Sequence, residues 1–420
     1  MTDSQPKRSN CSSTHRGAAT SKKAKTKAGV ASLILSITKW TYWSVMMTLT
    51  LILCVILLAS AFSDHISPAT WIYPSFLGIS FGISAALAIV WLIILLVLHR
   101  WRCAAILVVT LLIISEPLSR ICPLQILGKP EPETNIKTVD GITKQIPVDS
   151  IRILTYNTCA MGQTHLSKIK EKIPVIDVVR ESGADIVCMQ EYAFTLSKNG
   201  HTEKELRSRL SDLYPYYDFT PNDGRTAMGV AIYSKFPIKK ATRIDKRKKG
   251  YFSAMYYQVE AYGKRIGLIN MHLRSNKIQQ KDRVLYDEMI DHFEKDSLQR
   301  IRTGMMRSLA NAFRKRSEEA VLSSRFLKEN HPDDMPLLIC GDMNDTPVSY
   351  CYHTIGQGLK DAWQQAGRGP GITFREHRLW FRIDHVFHCA HFKSLDAKVR
   401  KDILYSDHYP LQVTLQLLKE

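Results

Sequence analysis

Ile151-Arg-Ile-Leu-Thr-Tyr-Asn157 alternates apolar and polar residues and ends on an amide. Ile186-Val-Cys-Met-Gln-Glu191 is an apolar run that ends on an acid. The same form recurs in Ile266-Gly-Leu-Ile-Asn-Met-His272 and in Leu337-Leu-Ile-Cys-Gly-Asp342, with Asn344 two residues further on. Short apolar runs with period-two patterning predict β-strands. Further runs at Gly229–Ser234, Met255–Ala261, Ile383–Phe387 and Leu411–Leu417 extend the set. Helical patterns at His165–Ser182 and Thr202–Leu213 lie between them. The long charged stretch Lys277–Asn330 predicts two helices joined near Thr303 and Gly304. Hairpin-like and helix-linked strands alternate, which predicts an α/β (α+β) domain of two packed mixed sheets with helices outside, over residues 151–420.

Outward from this domain the composition changes. Residues 1–29 carry seven Lys or Arg against Asp3 and have little to bury, which predicts a disordered, basic, cytoplasmic tail. Tyr42–Phe62 and Phe76–Leu98 have no charged residue. Each is long enough as a helix to cross a hydrocarbon core of about 30 Å. They are too long for the apolar region of a signal peptide. Trp40, Tyr42, Trp43, Trp71, Tyr73, Trp91 and Trp101 cluster mostly near their ends, where amphipathic rings favour the headgroup level. Cys103–Leu118 is a third, shorter candidate, with a re-entrant or interfacial segment as its alternative. Residues 30–127 therefore predict two to three transmembrane helices, and the Pro-containing residues 128–150 a linker.

The chain carries 57 Lys+Arg against 39 Asp+Glu, a formal charge of +18. The loop Ser63–Ser75 has no Lys or Arg, whereas the tail and His99-Arg-Trp-Arg102 are basic, so both basic segments are expected in the cytoplasm. If the third segment spans, the domain is extracytoplasmic; if not, it is cytoplasmic. A basic domain suits anionic partners such as phosphates, nucleic acid or lipid headgroups. The run Asp245-Lys-Arg-Lys-Lys-Gly250 is either a solvated turn or a clamp for such a partner. Nine dilute cysteines without a CxxC pair argue against a disulfide scaffold and against zinc. Phosphate-binding glycine loops are absent.

The polar residues Asn157, Glu191, His272, Asp342, Asn344, Asp384, Asp407 and His408 fall at or beside strand ends. One such Asp is usually a turn former and one such His a satisfied core residue. Eight together predict a catalytic rim on a rigid scaffold.

The ordered segments Ile153-Leu-Thr-Tyr-Asn157, Met189-Gln-Glu191, Asn270-Met-His272-Leu, Gly341-Asp-Met-Asn344, Arg382-Ile-Asp384-His and Ser406-Asp-His408 resemble the endonuclease/exonuclease/phosphatase superfamily. The resemblance covers residues 151–420. It implies a four-layer αββα sandwich and a phosphoesterase that uses metal-activated water on a phosphodiester or phosphomonoester. It also implies a divalent metal, Mg²⁺ or Mn²⁺, on Glu191, Asp407 and Asn157, all oxygen donors. In this resemblance Asp342 orients and deprotonates the water, Asn344 donates to the phosphate, and His408, oriented by Asp384, contacts it. His272 bonds a phosphoryl oxygen in the transition state. Arg225 and Tyr251 are the substrate-contact candidates, without a clean motif match. Asp345-Thr-Pro347 and Ile383-Asp-His385 stand where the inositol-phosphate phosphatases carry other residues, and the Asn344-Asp-Thr-Pro347 form looks more like the sphingomyelinase-type and deadenylase-type branches. The arrangement of spans, linker and domain resembles multi-pass bacterial envelope members, which implies the bacterial inner membrane. The expected substrate is a phosphate ester, lipid or nucleic acid included; no protein partner is evident. The alternatives are an extracytoplasmic nuclease and a catalytically silent anchored binding module.

Overall fold

A computed structural model of the chain describes residues 14–125, 128, 134–139, 142–147, 149–162, 173–195, 201–222, 227–245, 253–275, 295–375 and 380–418. The chain divides into two compact units, Met1–Val55 with Ala88–Thr110, and Ile56–Leu87 with Leu111–Glu420.

The apolar third is helical: α1 (Thr14–Ala61), α2 (Tyr73–Val97), α3 (Trp101–Ile113) and α4 (Ser115–Ile121), with a single 3₁₀ turn at Ser63–His65. Two helical stretches, Ser36–His65 and Tyr73–Val97, are long and apolar enough to cross a membrane. α3 and α4 meet at 66° and together would make a third, broken span. In the first unit the Trp91 indole donates to Thr50 Oγ1 at 3.0 Å. The tail expected to be disordered is helical from Thr14. Few apolar residues forbid a core there, but Ala and Lys are good helix formers and extend the apolar helix upstream.

Residues 128–150, expected as a linker, hold the antiparallel pair β1 (Thr134–Val139) and β2 (Ile142–Pro147). Both alternate in sequence, and Asp140-Gly141 between them is a dipeptide that favours two-residue hairpins. That signal outweighs the surrounding prolines.

The remaining elements follow in order: β3 (Ser150–Asn157), α5 (Pro174–Ser182), β4 (Ile186–Ala193), α6 (Glu203–Ser208), β5 (Tyr216–Pro221), β6 (Met228–Ser234), β7 (Ile238–Arg243), β8 (Ser253–Ala261) and β9 (Lys264–His272). Then come α7 (Lys295–Asn330), β10 (Leu337–Asp342), α8 (Tyr350–Ile355), β11 (Lys360–Asp361), α9 (Ala362–Ala366), β12 (Asp384–His388), β13 (Phe392–Val399) and β14 (Leu411–Leu417). One mixed sheet has the order β13-β14-β3-β4-β6-β5, the other β11-β12-β10-β9-β8-β7.

Their apolar residues explain the layering. Ile153, Ile186, Cys188 and Ile232 of one sheet pack against Tyr257, Leu268, Leu338 and Cys340 of the other. The alternate residues Leu154, Val187, Met189 and Tyr233 face outward onto α5. Tyr256, Ile269, Ile339 and Phe387 face outward onto α7 and α8. Period-two side chains buried on both faces give near-continuous apolar strands between two helical layers. The expected αββα sandwich of two mixed sheets is the fold of this domain.

α7 runs unbroken through Thr303 and Gly304, where two helices were expected. A glycine costs a helix interior only about 1 kcal/mol, and the long flanks propagate through it. Residues 276–294, the start of that expected pair, lie outside the described residues. β5, β7, β11 and β13 were not expected. Their burial is mixed, so their hydrophobic alternation is weak.

Candidate active site

The rim forms where strand ends of the two sheets meet. Asp342 ends β10 and is paired in register with His272 of parallel β9 and with Asp384 of antiparallel β12. Three side chains from three chain regions therefore stand side by side at the strand spacing of about 4.8 Å. Gly341 permits the close pairing: its φ is +139°, and a Cβ there would lie 2.0 Å from the Met271 carbonyl oxygen.

Asp342 is fully buried. Its Oδ2 accepts from Asn157 Nδ2 at 2.8 Å, and its Oδ1 from the Asn344 backbone N–H at 2.8 Å. His408 Nε2 lies 3.6 Å and His272 Nε2 3.7 Å from Oδ2. Behind His408, the Asp384 carboxylate accepts from Nδ1 at 2.7 Å, which fixes the ring and its tautomer. Burial pulls the His408 imidazole down, but Asp384 and Asp342 together overcome it and raise the pKa to about 10. His408 is thus a cation at neutral pH. Burial pushes the Asp342 carboxyl above its ordinary value, with Asp384 acting in the same direction and His408 against it.

Local backbone geometry aims the remaining groups. A β-bulge interrupts the pairing of β4 with β6 between Met189 and Tyr192, and within it Glu191 adopts a φ of 47°. Asn344 has a φ of 51°. Left-handed conformations at non-glycine residues store strain and cluster at functional sites. Glu191 Oε1 lies 3.7 Å from His272 Nε2. Neither His272 ring nitrogen has a hydrogen-bond partner, although both are buried. A buried imidazole in that state suits a ligand oxygen.

Glu191 and Asp407 are half-buried at the rim, and Asn157 is buried, its Oδ1 accepting from the Cys159 N–H at 3.1 Å. These oxygen donors suit a hard divalent cation. Among the described residues, Asp342, Asp384 and His408 form one close group of metal-ligand side chains, and Asp64, His65 and His353 another. Arg225, Tyr251 and residues 246–250 of the basic run lie outside the described residues.

Several further residues hold the rim in place. Thr373 Oγ1 accepts from the Ile383 and Asp384 N–H groups, both at 3.1 Å, and so sets the Asp384 backbone. Ser406 Oγ donates to the Asn157 carbonyl at 2.8 Å and accepts from the His408 N–H at 3.1 Å. Below the rim, Gln190 Nε2 donates to Asn270 Oδ1 at 2.7 Å, from one sheet to the other. Asn270 also donates to the Ala231 carbonyl at 2.9 Å. Gln190, Asn270 and Ser406 lay inside the quoted motifs; Thr373 had no local signal.

Beneath β12, Arg382 donates to Asp361 at 2.8 Å and to His385 Nδ1 at 3.0 Å. Asp361 also accepts from the Tyr352 hydroxyl at 2.8 Å. Burial and the adjacent Arg382 lower the His385 pKa to about 3. His385 is therefore neutral, its Nε2–H donating to the Asp345 carbonyl at 3.0 Å.

Residues 154–408, more than half the chain, match the family model described as Endonuclease/Exonuclease/phosphatase family. Residues 39–121 match a second model described as a domain of unknown function (DUF8431). Among solved structures, truncated Caenorhabditis elegans TDP2 is 18% identical, with 64% of this chain and 97% of that chain covered and a TM-score of 0.43. An endonuclease/exonuclease/phosphatase from Beutenbergia cavernae is 17% identical, with 64% and 72% covered and a TM-score of 0.45. The human Nocturnin catalytic domain with bound sulfate anion is 18% identical, with 64% and 94% covered and a TM-score of 0.45. No curated protein matches.

Proposed function

The chain belongs to the endonuclease/exonuclease/phosphatase family, and from that premise we propose that it is a membrane-anchored phosphoesterase that cleaves a phosphate ester at the rim around Asp342. The observation that carries this reading is the His272, Asp342, Asp384 row completed by His408.

Asp342, oriented by Asn157 and the Asn344 N–H, accepts the proton of a water molecule. The water oxygen bonds phosphorus as the bond from phosphorus to the leaving oxygen breaks, and that oxygen takes a proton from solvent. The His408 cation and the His272 N–H present positive charge to the phosphoryl oxygens, where negative charge accumulates. Asp384 keeps His408 charged and in place. A divalent cation, Mg²⁺ or Mn²⁺, on Glu191, Asp407 and Asn157 would polarise a phosphoryl oxygen as a Lewis acid. Asn344 is placed to donate its amide to the phosphate.

The contacts of the span ends support a topology. Ser63 Oγ donates to the Val348 carbonyl at 3.3 Å, and the His65 ring lies 4.5 Å from that of His353. Residues directly after the first apolar helix thus touch the same domain that follows α4. A bilayer of about 30 Å cannot separate groups in contact. With α2 as one span, an even number of crossings between Ser63 and Cys122 supports the reading of α3 and α4 together as a third span. With the basic tail in the cytoplasm, the domain is extracytoplasmic. We read it accordingly as an inner-membrane protein of a bacterial envelope, on the resemblance of its layout to such proteins.

The test is turnover of ethyl p-nitrophenyl phosphate and p-nitrophenyl phosphate by the detergent-solubilised full chain, with Mg²⁺, Mn²⁺ or chelator. Metal-dependent turnover that is lost in Asp342→Asn is expected. No turnover of these or of a membrane-embedded ester, or turnover indifferent to Asp342→Asn, overturns the proposal.

A further inference from the structure

From Ile151 onward, the two most exposed large apolar side chains among the described residues are Trp380, 66% exposed, and Leu404, 55% exposed. Tyr405 beside Leu404 is also exposed. All three flank the phosphate-handling groups. Trp380 precedes Asp384 by four residues, and Leu404 and Tyr405 lie just before His408. They are held on one rim. The Arg375 guanidinium donates to the carbonyls of Leu404 at 3.0 Å and Ser406 at 3.1 Å, and the Arg375 N–H donates to the Asp407 carbonyl. Phe374 pairs with Phe381, the neighbour of Trp380, and its ring packs on His408 at 5.1 Å.

The same rim is tied to the apolar helices. Arg382, two residues after Trp380, donates to the Arg120 carbonyl in the last turn of α4 at 2.6 Å. Trp380 therefore lies two residues, at most about 7 Å of chain, from the residue whose side chain joins α4 to the domain. On the other side, the loop after Asn344 shares a crevice with the span ends, lined by Asp345, Thr346, Val348, Ser63, Ser75 and Ile79. Both polar loops of the site are therefore built against membrane-helix ends.

A water-soluble phosphate ester gives these apolar groups nothing to bury against. A bilayer does, because Trp and Tyr favour the headgroup level and Leu the acyl boundary. We propose that the substrate is a phosphate ester whose apolar tail stays in the membrane, and that Trp380, Leu404 and Tyr405 dip into the lipid beside the site so that the headgroup phosphate reaches His408, His272 and Asp342. The proposal rests on the phosphoesterase reading and commits it to lipid-anchored esters.

The test uses the full chain reconstituted in phosphatidylcholine vesicles, with two esters that share one leaving group. p-Nitrophenyl hexadecyl phosphate is embedded in the vesicles, and ethyl p-nitrophenyl phosphate is free in solution. The anchored ester is expected to turn over roughly tenfold faster or more at equal bulk concentration, an advantage that membrane confinement alone can produce. The decisive arm is therefore Trp380→Ser with Leu404→Ser, expected to erase that advantage and leave the ethyl ester unaffected. In parallel, fluorescence that is lost in Trp380→Phe should be quenched by acyl-brominated lipid and shielded from iodide. An undiminished advantage in the double variant, or a Trp380 quenched by iodide and not by brominated lipid, overturns the lipid proposal and leaves the phosphoesterase standing. Failure of both esters overturns the phosphoesterase reading as well.

Discussion

The Arg382 guanidinium, itself buried, donates to the Arg120 carbonyl at the end of the last apolar helix and to the Asp361 carboxylate within the domain. One side chain therefore joins the apolar third of the chain to the strand that presents Asp384.

Replacing Arg382 by Met should strand Asp361 as a buried, unpaired carboxylate. Breaking such a pair costs about 3–5 kcal/mol. Thermal unfolding of the full chain should show the loss, and adding Asp361→Asn should restore part of it. An unchanged midpoint for Arg382→Met would show that the pair carries no stability.

Asp342→Asn keeps the side-chain shape and removes the proton acceptor. Turnover should fall by about 10²–10⁴, the usual worth of a positioned base. Circular dichroism and the unfolding midpoint should stay close to those of the parent, which separates chemistry from folding.

The alkaline limb of the rate profile should report His408. Activity that needs its cation is present below the raised pKa and is lost as pH climbs through about 10. Asp384→Asn removes the nearest negative charge, so the limb should move to lower pH. A limb that stays in place in this variant would show that the charge on His408 does not limit turnover.

His385 predicts the acid side of stability. The ordinary histidine value is 6.5, and the folded group titrates near 3. Between these values the unfolded chain binds more protons, so stability is complete above 6.5 and falls as pH drops towards 3. The slope from this group is about 1.4 kcal/mol per pH unit. His408, raised instead of lowered, contributes no slope below 6.5. Denaturant titrations of the parent and His385→Gln should differ in slope only within that window.

Much of the site was legible before any fold was known, because strand ends carry polar residues that apolar patterning does not explain. Glu191, His272, Asp342 and His408 each close or adjoin an apolar run. The supports were less visible. Thr373 lies ten residues before the backbone it holds, Asp361 pairs with Arg382 across a turn of chain, and Gln190 meets Asn270 from the opposite sheet. Periodicity reports which face a residue occupies and is silent about which strand lies next to it.

By itself, the sequence determined what local physics controls: two apolar stretches long enough to span a bilayer, strands buried on both faces, and the chemical types available at their ends. Only the tertiary structure decided which of those ends meet. Asp342 gains its ionisable neighbours because β10 pairs in parallel with β9 and antiparallel with β12, which puts His272 and Asp384 on its row. Ser63 and His65 meet Val348 and His353 only because the 3₁₀ turn after α1 packs beside α8. Hydrogen-bond register and helix packing join residues far apart in the chain, and no window of sequence contains both partners.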